Sequence, residues 1–163
     1  MLVIGIDPGI AITGYGIINE EADGEIIAVT FGTIITPSGS PLSARLLMLH
    51  GELKEIISKF NPTTAAVEKL FFQKNIKTAI NVGQARGVAI LTLAEVKLEV
   101  AEYTPTEVKQ AVVGYGAAEK TQVQAMIKNI LKLEEIPRPD DAADALAVAV
   151  CHIHSYRINN LFE

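Results

Sequence analysis

Apolar residues along the chain fall into two kinds of run, and the spacing within each run predicts its secondary structure. Short apolar runs that end at glycine, proline or polar residues indicate strands. Longer segments with apolar residues three and four apart indicate helices. The predicted strands are residues 2–7, 13–19, 25–36, 63–68 and a segment within 98–105. The predicted helices are residues 42–60, 78–96, about 106–113, about 119–133, and a last helix that starts at about residue 140.

The order of these elements predicts an α/β fold with a mixed five-stranded sheet and helices on its faces. Short turns join the first three strands, which favours an antiparallel meander. A helix separates the fourth strand from this meander, so the fourth strand should run parallel to the first. Gly32, inside the third strand, is a candidate for a β-bulge. No repeat or linker divides the sequence, so we expect one domain over residues 1–157 and a short C-terminal tail at 158–163.

The composition is that of a globular protein, because 49% of the 163 residues are hydrophobic and 20% are charged. Cys151 is the only cysteine, so the chain cannot form an internal disulfide, which suits a reducing compartment. The N-terminus reaches Asp7 without a basic start or a long apolar stretch, so we expect no signal peptide. No uncharged apolar run approaches the ~20 residues of a membrane span. We therefore expect a cytoplasmic protein with no membrane partner.

The distribution of charge bears on the choice of partner. The net charge of −5 argues against nucleic acid. However, every charged residue between Lys69 and Arg86 is basic, whereas acidic residues concentrate at positions 20–25 and at the last helix. The sequence is therefore compatible with a basic surface on an acidic chain.

Two carboxylates follow apolar strands. Asp7 ends the first predicted strand and Glu68 ends the fourth. If these strands are parallel neighbours, both side chains lie at the edge where open α/β sheets bind ligands. The alternative is a structural role at the end of a strand, which suits Asp7, before Pro8 and Gly9, better than Glu68.

Three more carboxylates, Asp140, Asp141 and Asp144, lie at the start of the last, apolar helix. Negative charge is favourable at a helix N-terminus, which explains Asp140 as the N-cap. Asp141 and Asp144 share a helix face that continues as apolar residues, and no lysine or arginine lies within four residues of Asp144. Hard divalent cations such as Mg²⁺ or Mn²⁺ would compensate these charges, and the absence of histidine and cysteine ligands argues against zinc. Such sites commonly hold two ions for phosphodiester hydrolysis.

Four segments together resemble the RuvC family of Holliday-junction resolvases: "IGIDPGIAITGYGII", "AVEKLFFQKNIKTAINVGQARG", "YTPTEVKQAVVGYGAAEKTQVQ" and "PDDAADALAVAVCHIH". The resemblance covers nearly the whole chain. It implies a ribonuclease-H-like fold with sheet order 3-2-1-4-5. It also implies that Asp7, Glu68, Asp141 and Asp144 are the catalytic, metal-binding acids.

The same resemblance implies an activity and partners. The expected reaction is paired nicking of two like-polarity strands across a four-way DNA junction in recombination and repair, leaving 5′-phosphates. The family works as a homodimer with Mg²⁺, for which Mn²⁺ substitutes, with two ions per active site, and it is coupled to the RuvA–RuvB branch-migration complex.

Further residues match DNA contacts of the family. Phe71 matches the family aromatic that follows the catalytic glutamate and stacks on an unpaired base. The alternative for Phe71 and Phe72 is packing in the core, which we expect for one of the two. Lys109 and Lys120 match residues that contact the DNA backbone, and Lys74 would extend this basic rim. The alternative for each lysine is solvated surface. Gly83 and Gly87 are costly on a helix and indicate either close packing on the sheet or a dimer interface.

Three other classes of protein compete with this interpretation. One is a related ribonuclease-H-like nuclease that acts on RNA or RNA–DNA hybrid. Another is a fragment of an actin-like or sugar-kinase-type ATPase, which would need a second domain and a second phosphate loop. The third is a junction-binding protein without activity, which the four carboxylates disfavour.

Overall fold

The structure, a computed structural model, describes residues 1–69 and 76–160. Its strands and helices follow the predicted order. In sequence order they are β1 (Leu2–Asp7), β2 (Ile12–Glu20), β3 (Ile26–Ile35), α1 (Leu42–Phe60), β4 (Thr64–Glu68), α2 (Ile76–Glu95), β5 (Val100–Tyr103), α3 (Pro105–Val113), α4 (Lys120–Ile130) and α5 (Asp140–Asn160).

The five strands form one mixed sheet in the order β3-β2-β1-β4-β5. β1 pairs antiparallel with β2 and β2 with β3, whereas β4 runs parallel to both β1 and β5. The predicted fold class and strand order are therefore confirmed. Because β1 and β4 are parallel neighbours, their carboxyl ends, Asp7 and Glu68, meet at one edge of the sheet.

The predicted bulge at Gly32 is wrong. The register between β2 and β3 shifts between Ile17 and Ile18, which pair with Thr30 and Ala28, so Val29 is the extra residue. Gly32 lies opposite Tyr15 instead, and a Cβ atom at Gly32 would be 2.9 Å from the Tyr15 hydroxyl oxygen. Glycine at this position makes room for the aromatic side chain of its paired residue.

Helices cover both faces of the sheet. α1 and α2 pack on one face through a core that includes Leu49, Leu53 and Leu93. α5 packs on the other face together with α3 and α4. α5 is enclosed by the sheet and by these two helices, and its side chains are buried almost continuously from Ala142 to Ile153, with Asp144 as the half-buried exception.

Small residues bring α5 unusually close to the sheet. A Cβ atom at Gly5 would be 2.2 Å from the Ala145 carbonyl oxygen, and one at Gly14 would be 1.9 Å from the Asp141 carbonyl oxygen. Real Cβ atoms do not approach other atoms so closely, so only glycine fits at these two strand positions. The alanines of α5 complete the close contact from the helix side. The first turns of α5 are therefore held against β1 and against Gly14, the β2 residue that pairs with Asp7.

The end of α5 crosses the predicted boundary of the domain. The helix continues to Asn160, so it includes residues that we assigned to a C-terminal tail from 158. The division of the chain into a domain and a tail stays a prediction. None of the helices in the described ranges is long and apolar enough to cross a membrane.

Candidate active site

Asp7 and Glu68 form the strand half of a carboxylate cluster. Burial, and next the charges of Glu68, Asp144 and Asp141, raise the pKa of Asp7 from 3.8 to about 8. Burial raises the pKa of Glu68 as well. The two side chains share a hydrogen bond, in which a protonated Asp7 donates to the Glu68 carboxylate. Burial and mutual repulsion in the strand half of the cluster therefore favour the protonated form of Asp7.

Asp141 and Asp144 form the helix half of the cluster. Both side chains are half-buried on the first turns of α5. Burial raises the pKa of Asp144, the ion pair with Lys120 lowers it, and the charge of Asp141 raises it further. Because both residues also act on the pKa of Asp7, the structure brings the four predicted carboxylates into one electrostatic cluster.

Asp140 is not among the charges that act on Asp7, although it raises the pKa of Asp144, and its predicted role as the N-cap is wrong. The Pro139 carbonyl accepts the first helical hydrogen bond from the Ala143 amide at 3.3 Å, so Asp140 is the first residue inside the helix. Its carboxylate accepts hydrogen bonds from Gln124 Nε2 at 3.1 Å and from Arg138 at 2.6 Å. Asp140 thus joins the start of α5 to α4.

Lys120 reaches the helix half of the cluster from α4. Its Nζ atom is 2.9 Å from Asp144 Oδ2 and 3.5 Å from Asp140 Oδ2. These ion pairs explain a cation at the first residue of α4, where the helix dipole disfavours positive charge. Lys120 and Lys109 also line a cleft of about 230 Å³ together with Glu68 and Asp144. The two predicted phosphate-binding lysines therefore lie beside the carboxylates.

A divalent cation is the group that this set of side chains fits. Within residues 1–69 and 76–160, no three histidine, cysteine, aspartate or glutamate side chains already stand in the arrangement of a metal site. The charges of Glu68, Asp141 and Asp144 nevertheless raise the pKa of Asp7, and a set of ligands made only of oxygen suits Mg²⁺ or Mn²⁺. Asp144 accepts a hydrogen bond from Lys120, and this contact has to yield to a cation that takes the same oxygen.

The histidines and the cysteine lie away from the cluster. His152 is buried between the Thr64 hydroxyl at 3.0 Å and the Tyr103 hydroxyl at 2.9 Å, and burial lowers its pKa. His154 contacts the Ala111 carbonyl at 2.9 Å, so the two histidines have separate partners, as expected from their spacing. Cys151 is a buried core residue, and burial raises the pKa of its thiol to about 12.

Arg86 is a residue near the cluster that the sequence did not reveal. Its Nε atom donates a hydrogen bond to the Glu68 carbonyl at 3.1 Å, and its guanidinium forms an ion pair with Glu102. The sequence signal that could have revealed Arg86 was its charged side chain in the middle of a mostly apolar helix.

Known proteins are similar to this chain in sequence and in architecture. The family model "Crossover junction endodeoxyribonuclease RuvC" matches residues 3–152. The chain belongs to the RuvC family. A RuvC from Syntrophomonas wolfei is 55% identical over 163 residues, which cover 100% of this chain and 94% of that protein. A RuvC from Pelotomaculum thermopropionicum is 57% identical over 156 residues, which cover 96% and 94% of the two chains.

Solved RuvC structures have the same architecture. Thermus thermophilus RuvC superposes with a TM-score of 0.91 at 36% identity, covering 98% of this chain and 97% of that one. T. thermophilus RuvC in complex with Holliday junction substrate superposes with a TM-score of 0.88 at 34% identity, covering 97% and 96%. A yeast mitochondrial Holliday junction resolvase, at 17% identity and a TM-score of 0.70, shares the fold. Membership of the RuvC family favours the predicted nuclease over the ATPase alternative.

Three of the residues predicted to bind DNA cannot be placed. Phe71, Phe72 and Lys74 lie outside the described residues, so their roles rest on the match to RuvC motifs.

Proposed function

We propose that this RuvC-family endodeoxyribonuclease resolves Holliday junctions at a site built from Asp7, Glu68, Asp141 and Asp144. The observation that carries the proposal is the convergence of these four carboxylates from two strands and one helix, where the charges of Glu68, Asp141 and Asp144 all raise the pKa of Asp7. A protein without a cation to bind would gain nothing from burying like charges together. The four residues are therefore the proposed ligands of Mg²⁺, with Mn²⁺ as a substitute and two ions per site.

The residues of the chain have distinct tasks in this mechanism. Bound cations would supply positive charge for activating water and for stabilising the leaving oxygen of the phosphodiester. Because burial raises the pKa of both Asp7 and Glu68, cation binding, which favours the charged carboxylates, would be coupled to proton release. Lys109 and Lys120 lie on the cleft beside Glu68 and Asp144, where they can orient a phosphate of the cut strand.

DNA binding by an acidic chain requires a local basic surface. Lys109 and Lys120 provide its described part, and Lys74 extends it in our proposal. Either Phe71 or Phe72 would stack on an unpaired base at the crossover, a contact worth ~1–3 kcal/mol per base.

Paired nicking calls for two active sites, and each chain supplies one carboxylate cluster. We therefore propose a homodimer, with α2 at the interface. Ile76, Ile80 and Leu91 of this helix leave 81%, 57% and 58% of their surfaces exposed. A Cβ atom at Gly87 would have no neighbour within 4 Å among the described residues, so this glycine leaves space on the outer side of the helix. Coupling to the RuvA–RuvB complex and a cytoplasmic location complete the proposal.

The test is cleavage of a synthetic four-way junction with labelled strands, in Mg²⁺, by wild type, Asp144→Asn and Asp140→Asn. Asp144→Asn should abolish cleavage and leave junction binding intact or tighter, because repulsion between the site and phosphate falls. Asp140→Asn, which alters an adjacent carboxylate that is not a proposed metal ligand, should retain most of the cleavage. Normal cleavage by Asp144→Asn would exclude the four-carboxylate site. Wild-type cleavage of an RNA–DNA hybrid in preference to the junction would exclude the proposed substrate.

A further inference from the structure

Arg86 connects three elements beside the cleft. It lies on α2, donates to the Glu68 carbonyl at the end of β4, and forms an ion pair with Glu102 of β5. The Arg86 side chain is only 20% exposed. Glu102 is the β5 residue that pairs with Val67, so the guanidinium spans the two strands where their ladder ends.

The hydrogen bond to the Glu68 carbonyl restrains the backbone that carries the Glu68 carboxylate. The last paired position of β4 is Glu68, opposite Tyr103, and the Lys69 amide donates to the Tyr103 carbonyl at 2.7 Å. The peptide between Glu68 and Lys69 is thus held through its N–H by β5 and through its C=O by Arg86. Because rotation of this peptide is blocked, the direction of the Glu68 Cα–Cβ bond is fixed as well.

We propose that Arg86 is a positioning residue for Glu68: its Nε–H···O=C bond sets the direction of the Glu68 carboxylate towards the cations and the scissile phosphate. This inference deepens the proposed function, on which it rests. Displacement of a catalytic group by 1 Å can cost ~100-fold in rate, so the loss of a single backbone contact can lower the cleavage rate measurably. The ion pair with Glu102 plays a supporting part, since it orients the guanidinium.

Three substitutions separate the hydrogen bond from the ion pair. Arg86→Gln places an amide nitrogen at the position of Nε, so it can keep the donor while it removes the charge. Arg86→Met has similar length and removes both the donor and the charge. Glu102→Gln keeps the arginine and removes the charge of its partner. Glu95→Gln, at another ion pair of α2 with His50 and Lys54, serves as the matched control for the helix.

The measurements are single-turnover cleavage of a four-way junction, junction affinity in Ca²⁺, and Mn²⁺ binding without DNA, followed by electron paramagnetic resonance. For Arg86→Met we expect a loss of cleavage rate of at least tenfold and weaker Mn²⁺ binding, with junction affinity within threefold of wild type. Arg86→Gln and Glu102→Gln should stay within about fivefold of wild type in all three, and Glu95→Gln should match wild type. Sedimentation velocity and thermal melting test whether each variant keeps its oligomeric state and fold.

Two results would overturn the inference. If Arg86→Met cuts junctions and binds Mn²⁺ like wild type, the contact does not position Glu68. If Arg86→Met, Arg86→Gln and Glu102→Gln lose activity equally and in proportion to melting temperature, Arg86 acts through the ion pair as a structural residue. Failure of the wild type itself to cut junctions would instead contradict the proposed function.

Discussion

Replacing Gly14 with alanine should separate the two halves of the carboxylate cluster. Gly14 is the β2 residue opposite Asp7, and α5 passes directly over it. A Cβ atom at this position would be 1.9 Å from the Asp141 carbonyl oxygen, 2.4 Å from the Asp141 carbonyl carbon and 3.2 Å from the Ala142 amide nitrogen. All three atoms belong to the backbone of α5, so no side-chain rotation can relieve the overlap.

The size of the effect follows from these distances. The distance to the Asp141 carbonyl oxygen has to grow from 1.9 Å to at least 3.0 Å, so the first turn of α5 must shift by roughly an ångström. Overpacking of this kind costs ~1–3 kcal/mol of stability, which corresponds to a decrease in melting temperature of ~2–12 °C for a domain of this size. A shift of 1 Å in a catalytic group costs ~100-fold in rate. We therefore expect activity to fall far more than stability.

The assay compares Gly14→Ala with Gly51→Ala. Gly51 lies in the exposed middle of α1, with nothing within 4 Å of a Cβ atom, and alanine there should stabilise the helix by ~0.5–1 kcal/mol. Junction cleavage in Mg²⁺, junction binding in Ca²⁺ and melting temperature are measured for both variants at a temperature where both are folded. Gly51→Ala should cut like wild type and melt at a slightly higher temperature.

A result at either extreme would refute this reasoning. If Gly14→Ala is folded and cuts within threefold of wild type, the position of α5 against β2 does not control the site. If it loses binding and cleavage together with its fold, the substitution reports stability alone, and the separation of the two carboxylate pairs is not the cause.

Three further predictions concern charge and assembly. Folding raises the pKa of Asp7 from 3.8 to about 8, so the contribution of Asp7 to the free energy of unfolding is complete below pH 3.8 and is lost as the pH rises through about 8. In EDTA the melting temperature should therefore fall from pH 5 to 8.5. An equal slope for Asp7→Asn would contradict this prediction. Lys120→Gln removes the ammonium group beside Asp144, so calorimetry should show Mn²⁺ binding ~2–5-fold tighter while junction binding weakens. Unchanged or weaker Mn²⁺ binding would count against competition between Lys120 and the metal ion for Asp144. Ile80→Glu should convert the proposed dimer to monomer in sedimentation velocity, whereas Ile158→Glu, on the exposed side of α5, should not; a dimeric Ile80→Glu would place the interface elsewhere.

The sequence predicted those features of the site that depend on local pattern. Apolar runs and turn lengths predicted the antiparallel meander and a fourth strand parallel to the first, and the resemblance to RuvC implied the full strand order. That order places Asp7 beside Glu68. Helical spacing gave the shared face of Asp141 and Asp144. Apart from the resemblance, each of these inferences uses a repeat of a few residues or the length of a connection, and such signals are contained in the sequence itself.

Most of the contacts that sequence reasoning missed are non-local. Lys120 was expected to be a phosphate contact or a solvated side chain, but it pairs with Asp144, 24 residues away in sequence. The bulge falls at Val29 because the register of two whole strands decides its position, whereas a single glycine does not. Arg86 is 18 residues from the carbonyl it binds. No periodicity encodes which distant group a long side chain will reach.

The close packing of α5 on the glycines of β1 and β2 has a consequence for when the enzyme becomes active. Asp7 and Glu68 belong to strands, whereas Asp141 and Asp144 come with α5, the last described element in sequence order. A nascent chain that has not yet reached α5 carries only two of the four carboxylates. Because α5 also forms the centre of one hydrophobic core, its detachment would unfold that layer and would not leave a loosened but active nuclease. In the proposed site, cutting would therefore require a chain in which α5 is complete and packed on the sheet.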